Sequence, residues 1–404
     1  MVFVNRYFHP DESATSRMLS DLAFRLAGQG LPVTVVTSRQ LYEDPNARLP
    51  ARETIRGVQV HRVATATLGR SRLLGRALDY ASFHAAVAWR VWRLLRPGDI
   101  VVAKTDPPLL SVTLANVAAW RGALLMNWLQ DVFPEVAVTL APGLLPKWLL
   151  VPLLSLRDRS LRSAAMNIVL SDGMGARVCA RGIEPGKTHV IANWADTKNL
   201  RPRPSAASFT RRRLGLSDRF VVGYSGNFGR AHEFETLITA AKLLADDPRF
   251  AFLMTGGGAR SKELQNAVAR ARLGNFHFQG YQPAEMLTDS MAAADIHLVS
   301  LLPALEGLIV PSKIYGILAA GRPALFIGDP AGDVATMLRQ HACGIAVRVG
   351  DGAAMAAELR RLGDDPVGVA TMGENARRLA LLRHSSEHAA MEWVTLLRRV
   401  QSGT

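Results

Sequence analysis

The stretch Phe220-Val221-Val222-Gly223-Tyr224-Ser225-Gly226-Asn227-Phe228-Gly229-Arg230-Ala231-His232 decides the fold. Residues 220–224 form a short apolar, β-prone run, which reads as a buried strand. The run opens at once into a loop. There Gly226 and Gly229 free the backbone, and Arg230 brings a planar cationic fork suited to phosphate. In open parallel sheets ligands bind beyond the carboxyl ends of the strands, so this loop also marks the side on which chemistry sits.

The same alternation extends in both directions. Short apolar runs alternate with helical patterns, which predicts an α/β protein with parallel sheets covered by helices. Upstream, strands are expected at residues 3–4, 32–37, 58–63, 99–103, 123–127, 166–170 and 189–192. A helix over about 13–27 is stopped by Gly28 and Gly30. Downstream, strands are expected at 220–224, 251–254, 276–278, 295–299, 323–327 and 344–347. A chain of 404 residues exceeds what one core usually supports, so each series forms its own domain, 1–195 and 196–375. Residues 193–218, with Pro202, Pro204 and Arg211-Arg212-Arg213, have the composition of a linker. The remainder, 376–404, has helical periodicity and no following strand, and is expected to pack back on the first domain.

Other strand-end loops supply further candidates. Tyr7-Phe8-His9-Pro10-Asp11-Glu12-Ser13 follows the first strand; it is either an anion-binding entry to a helix or a plain turn with Ser13 as N-cap. Thr255-Gly256-Gly257-Gly258 invites close approach of a flat or charged group. It lacks the G-x-G-x-x-G spacing and the later acidic residue, which disfavours a nicotinamide dinucleotide. In Glu306-Gly307-Leu308-Ile309-Val310-Pro311-Ser312-Lys313 a loop enters a helix at about Pro311. The free N–H groups of Ser312 and Lys313 then face an anion at the positive end of the helix dipole. Asp131 and Glu135, after strand 123–127, are candidate cleft carboxylates.

Composition sets outer limits. Hydrophobic residues make up 49% and charged residues 20%, an ordinary globular balance. Cys179 and Cys343, without metal-ligand spacing, read as two free thiols in a reducing compartment, and no metal site is expected. No signal peptide and no uncharged run long enough to span a bilayer is evident, so a cytoplasmic protein is expected. The net charge is +14, and residues 1–195 hold 23 Lys/Arg against 14 Asp/Glu. Either this basic surface attracts polyanions or the arginines reflect overall residue usage. With 7% aromatics and dispersed arginines, and no helix-turn-helix, a nucleic-acid partner is not expected. The stretch 144–161 is apolar, carries Trp148, and is flanked by Arg157, Arg159 and Arg162. It is either an interfacial membrane helix or a buried helix pair.

Taken in order, these loops resemble the retaining glycosyltransferases of the GT-B fold, and most nearly the bacterial colanic-acid, capsule and O-antigen type. Phe8-His9-Pro10-Asp11 looks like that family's acceptor loop. Asn193-Trp194-Ala195-Asp196 looks like its hinge, and Ser225–Arg230 like its donor-domain glycine loop. Ala294-Asp295-Ile296 and Ala319-Ala320-Gly321-Arg322-Pro323 match two further signatures. Two positions depart from the pattern. Gly316 stands where a glutamate usually holds the donor ribose, and His232 stands near where a lysine is usual.

The resemblance implies two Rossmann-like domains and a nucleotide diphosphate sugar as donor, UDP-linked and N-acetylated or deoxy. It implies transfer with retention to a polyprenyl-diphosphate-linked saccharide, for surface polysaccharide assembly. Arg230, His232, Lys313 and helix N–H groups would stabilise the leaving diphosphate without metal or other cofactor. Asp131 and Glu306 would attend the sugar, and Gly226, Asn227, Gly257 and Ser312 would line the donor site. Tyr281 would border the base, and Pro10, Asp11 and Ser13 would lie on the acceptor side. Residence on the inner face of the cell membrane, against its anionic surface, follows from such an acceptor. A UDP-sugar 2-epimerase shares the architecture and is the alternative.

Overall fold

The computed structural model describes residues 1–68, 73–143 and 145–403. Leu144, the first residue of the apolar stretch 144–161, lies outside them. Two compact units result: Met1–Ala192 together with Ala389–Thr404, and Asn193–His388.

In the first unit the chain runs β1 Val2–Val4, α1 Ala14–Gly28, β2 Thr34–Ser38, β3 Arg52–Ile55, β4 Val58–Val63, α2 Leu73–Leu94 and β5 Ile100–Lys104. It continues as α3 Leu110–Arg121, β6 Leu124–Trp128, α4 Glu135–Leu140, α5 Lys147–Ser163, β7 Met166–Val169, α6 Asp172–Cys179 and β8 Thr188–Val190. The strand order is β3-β4-β2-β1-β5-β6-β7-β8, parallel except for β3, which pairs antiparallel with β4. The periodicity did not predict β3, and its residues show why. Arg52-Glu53-Thr54-Ile55 alternates exposed and half-buried at the sheet edge, with no continuous apolar run. It is made a strand by the Arg56-Gly57 turn, both with positive φ, which folds it onto β4.

Alternate residues of each strand feed two cores. On one face Val2, Val4, Val101 and Ala103 pack under Phe83, Val87 and Val91 of α2 and Leu110, Leu114 and Val117 of α3. On the other, Phe3 and Trp128 meet Trp393, with ring centroids 5.9 and 4.9 Å away.

The second unit runs α7 Phe209–Arg213, β9 Phe220–Asn227, α8 Glu235–Leu243, β10 Phe250–Gly257, α9 Ser261–Arg270, β11 Phe276–Gln279 and α10 Leu287–Ala292. It continues as β12 Ile296–Ser300, α11 Lys313–Ala319, β13 Ala324–Gly328, α12 Asp333–Gln340, β14 Gly344–Arg348, α13 Gly352–Gly363 and α14 Pro366–Arg383; the last helix, α15 Ser386–Ser402, lies almost wholly in the first unit. All six strands are parallel, in the order β11-β10-β9-β12-β13-β14.

Two readings of the chain need correction. Residues 193–218 are not a linker: the arginine run forms α7, and Arg211 is buried against Asp295 at 2.9 Å. A buried guanidinium matched this closely to a half-buried carboxylate is core, whatever its neighbours suggest. The C-terminal helical segment 376–404 is also divided between the units. It breaks at His384-Ser385, where Ser385 bridges Ala195. Helix α14 stays with the second unit, and only Ala389–Thr404 returns to the first.

Candidate active site

At the carboxyl end of the second sheet, β9 and β10 run on as paired glycine turns. A Cβ on Gly256 would lie 2.0 Å from the Gly226 carbonyl oxygen, and one on Gly258 2.1 Å from Asn227 Oδ1. Both have strongly positive φ, as does Gly226. The triple glycine therefore lets two loops close on each other, and Asn227 is fixed between them. Tyr281 lies flat over Gly257, where a Cβ would come within 3.1 Å of its ring, and its hydroxyl donates to the Gly257 carbonyl at 3.1 Å. The ring's remaining surface is open to solvent.

Behind Gly226 stands Lys313. Its Nζ donates to the Tyr224 hydroxyl at 2.5 Å and lies 3.9 Å above the centroid of that ring. It is also 3.2 Å from His232 Nε2. The tautomer follows from the other nitrogen. His232 Nδ1 lies 2.6 Å from the Ser300 carbonyl, which only accepts, so Nδ1 carries the hydrogen and Nε2 is a lone pair facing Lys313. Burial, and then the Lys313 charge, hold His232 down at about 4, so the imidazole is neutral at physiological pH. Burial also pulls Lys313 down to about 7. Among the described residues no carboxylate pairs with this ammonium, and an arriving anion would stabilise its charged form.

The remaining donor-side candidates differ in what they touch. Arg230 is exposed and makes no ion pair or hydrogen bond among the described residues. Ser312 is the exposed N-cap of α11, which starts at Lys313; Pro311 therefore precedes the helix rather than opening it. Glu306 is placed differently. Its Oε1 accepts from the Asp333 backbone N–H at 2.7 Å, at the start of α12, and Gly332 lacks a Cβ because that carboxylate fills the space. Gly316 has open space, with Leu200 at 4.0 Å from a built Cβ.

The first unit carries a second cluster at the ends of β5 and β6. Lys104 is buried, donates to the Thr15 carbonyl at 2.8 Å, and sits 4.1 Å above the Trp128 ring. Burial draws it down to about 7, against the pull of Asp106. Asp131 shares a recess with Lys104, Asn127 and Trp128. Its Oδ1 is buried without a hydrogen-bond partner. Burial and the Asp106 charge push its carboxyl up to about 6, while a Thr105 hydrogen bond opposes them.

Not every acceptor-side candidate is available. Asp11 is consumed by structure: its Oδ1 accepts from Ser13 N–H at 2.9 Å and Ser13 Oγ at 2.5 Å, and its Oδ2 from Tyr42 N–H at 2.5 Å. Ser13 is the N-cap of α1 by position, but its hydroxyl serves Asp11 and not the helix. Pro10 is exposed beside them. Glu135 is not a cleft carboxylate. It binds buried Arg157 through both oxygens, at 2.6 and 3.2 Å, and Arg157 also holds Asp158 at 2.7 Å.

Lys104 and Tyr224 were not singled out by sequence reasoning. For Lys104 the signal was present: a lone cation ending the apolar strand Ile100-Val101-Val102-Ala103. Tyr224 read as one more apolar strand residue.

Known proteins match both halves. Residues 13–194 match the glycosyl transferase 4-like domain and residues 219–365 the glycosyl transferases group 1 family. The chain is 27% identical over 280 residues to a probable glycosyltransferase of Pseudomonas aeruginosa, WbjE, covering 68% of each. It is 26% identical over 269 residues to a putative colanic acid biosynthesis glycosyl transferase of Escherichia coli, WcaI, covering 65% of this chain and 64% of that one. Among solved structures, HepE of Anabaena in complex with UDP superposes with a TM-score of 0.74 at 17% identity, covering 98% of this chain and 99% of that one. Sucrose-phosphate synthase of Thermosynechococcus elongatus superposes at 0.79 with 20% identity over the full length of both. The 2-epimerase alternative finds no support among these matches. With two Rossmann-like units, glycine loops at the carboxyl ends of the second unit's strands and both family models in order, the chain belongs to the GT-B glycosyltransferases.

Proposed function

We propose that the protein transfers a hexosyl-type sugar from a UDP-linked donor, with retention, to a lipid-linked saccharide in surface polysaccharide assembly. The observation that carries this reading is the recessed Lys313 ammonium behind Gly226, bonded to Tyr224 and beside neutral His232, at the end of the sheet where the loop carrying exposed Arg230 also leaves β9. That arrangement suits the diphosphate of a nucleotide sugar. Charge grows on the leaving phosphate as the glycosidic bond breaks, and preorganised cations with restricted access to water stabilise it most. Lys313 and Arg230 supply this charge in place of a metal. His232 contributes none: it holds Lys313 through Nε2 and is itself held by Ser300. The acceptor hydroxyl attacks from the face the diphosphate leaves, and the departing oxygen takes the proton.

Asp131, with one carboxyl oxygen unsatisfied, orients an acceptor or sugar hydroxyl. Glu306 reaches the sugar only if it leaves α12, so its part is to brace the loop before Lys313. HepE, a fold relative, is described with UDP, which supports uracil as the base. One relative is described as a putative colanic acid biosynthesis glycosyl transferase, which supports a saccharide acceptor in surface polysaccharide assembly.

The test is product formation from UDP-sugars with a polyprenyl-diphosphate saccharide, read by mass spectrometry and by the anomeric coupling of the product. An inverted anomer, or epimerised sugar formed with no acceptor present, overturns the proposal.

A further inference from the structure

The second unit holds a cavity that the donor reading does not use. It lies at the amino ends of the strands, on the side of the sheet away from the glycine loops. Phe220 opens β9 there, Asp295 immediately precedes β12, and Pro323 immediately precedes β13. Leu362 of α13 and the first turns of α14, through Val369 and Ala370, complete the lining. The cavity measures about 270 Å³, and one of about 150 Å³ already holds benzene. Ala370 is exposed, so the cavity opens to solvent.

Charge selects the ligand. Asp295 is fully engaged: both of its oxygens accept from Arg211 Nη1 at 2.9 Å, and Oδ2 also accepts from the Val221 N–H at 2.8 Å. Arg211 places its other nitrogens on the Leu216 and Arg219 carbonyls. Arg322, which also lines the cavity, has no such match. Its Nη2 donates to the Arg203 and Ala292 carbonyls at 2.6 and 3.1 Å, and its Nε is buried without a partner. Its Nη1 makes no hydrogen bond among the described residues, and it is the nitrogen left for the cavity. The charges of Arg211 and Asp295 cancel, so Arg322 leaves one positive charge on the wall. Burial draws this guanidinium below its ordinary value, Asp295 opposes that, and Arg211 adds to it. A single anion beside Nη1 would offset the repulsion from Arg211 and give the guanidinium a partner.

The remaining lining sets the body of that anion. Phe220, Leu362 and Val369 offer apolar surface, and Ser205 brings the one hydroxyl among the described lining residues. A sugar or nucleotide would bury several hydroxyls there without partners, which costs more than it gains. A flat apolar body with one carboxylate fits the volume, the charge and the lining together. We infer that this cavity is a binding site for a small apolar monocarboxylate, held by Arg322 and separate from the donor loops. The site is preformed. A Cβ on Gly321 would lie 2.8 Å from Pro202, and one on Gly373 of α14 would lie 2.5 Å from the Gly321 carbonyl oxygen. The turn that carries Arg322 is therefore packed tightly against α14 and Pro202, and ligand binding has little to order. The inference goes beyond the transfer reading and does not rest on it.

The probe is benzoate, titrated into the full chain by calorimetry and followed by saturation-transfer NMR, with benzamide, acetate and inorganic phosphate alongside. Benzoate is expected to bind with a dissociation constant of about 0.1–1 mM, the range for a ligand of its size. Benzamide keeps the ring and loses the charge, so it binds roughly 10- to 100-fold more weakly, the worth of a hydrogen bond to a charged group. Acetate and phosphate lack the apolar body and show no binding at these concentrations. Arg322→Gln weakens benzoate by the same roughly 10- to 100-fold. Because Arg322 also holds two backbone carbonyls, Ala370→Phe is the second variant. Its ring enters the cavity from an exposed helical position and abolishes benzoate binding, while the circular dichroism and the thermal shift with UDP stay as in the wild type. Saturating UDP leaves benzoate bound. Absence of benzoate binding, equal binding of benzamide or acetate, displacement by UDP, or unchanged binding in Ala370→Phe each overturns the inference.

Discussion

Lys313 gives the sharpest test, because its environment fixes a sign. In the ligand-free protein burial holds its ammonium at about 7. A bound diphosphate returns it toward the ordinary lysine value of about 10.4. Above pH 7 donor binding therefore takes up a proton, and affinity is lost as pH rises through the ligand-free value. Between pH 6 and pH 8 the dissociation constant of a UDP-sugar rises about tenfold, and proton uptake at pH 8 approaches about one per ligand. Among the described residues, neither group in contact with Lys313 titrates in that window. His232 is neutral throughout, and a sugar diphosphate diester has no ionisation there. Calorimetry in two buffers of different ionisation enthalpy measures the uptake directly. In Lys313→Met the slope flattens, and affinity drops by roughly 1.5–3 kcal/mol, the worth of a charged hydrogen bond. The empty variant should also melt higher, since a buried ammonium opposes folding. A pH slope that survives in Lys313→Met, or absence of proton uptake at pH 8 in the wild type, refutes the reasoning.

Asp131→Asn should lower kcat while leaving UDP-sugar affinity unchanged, and the acid limb of the wild-type kcat/KM profile should fall near pH 6, where this carboxyl titrates. Gly258→Ala drives a Cβ into Asn227 at positive φ and should cost roughly 1–3 kcal/mol in denaturant melts, together with UDP-induced stabilisation. Arg157→Ala strips Glu135 and Asp158 of their buried partner and should cost about 3–5 kcal/mol without changing UDP affinity, since its contacts all lie in the first unit. Gly316→Glu meets open space within a helix, so it should add up to about 1 kcal/mol of stability and tighten UDP binding if the position faces the ribose.

The strand-end loops were legible because backbone freedom has a residue signature. A run such as Thr255-Gly256-Gly257-Gly258 says that something approaches closely. The structure adds what: the neighbouring loop at Gly226 and the ring of Tyr281. The strands were legible for a similar reason, since parallel strands are buried on both faces and read as continuous apolar runs. Edge strand β3 escaped because its pairing comes from a turn and not from its own hydrophobicity. The arginine run 211–213 misled because composition cannot reveal a carboxylate 84 residues away.

The sequence by itself therefore determined two α/β units and the glycine loops at the carboxyl ends of the second unit's strands, because local periodicity and glycine placement carry that information. It also marked Lys313, Arg230 and Asp131 as candidates, by their position after strands. Only the tertiary structure decided what those groups are. Burial made Lys313 a titrating ammonium and Asp131 a raised carboxyl, and it kept His232 neutral. Long-range contacts turned Asp11, Glu135 and Glu306 from candidate chemistry into brackets that hold loops and helices. The charge and availability of a side chain depend on its desolvation and on partners distant in the chain, and neither is written in its immediate neighbours.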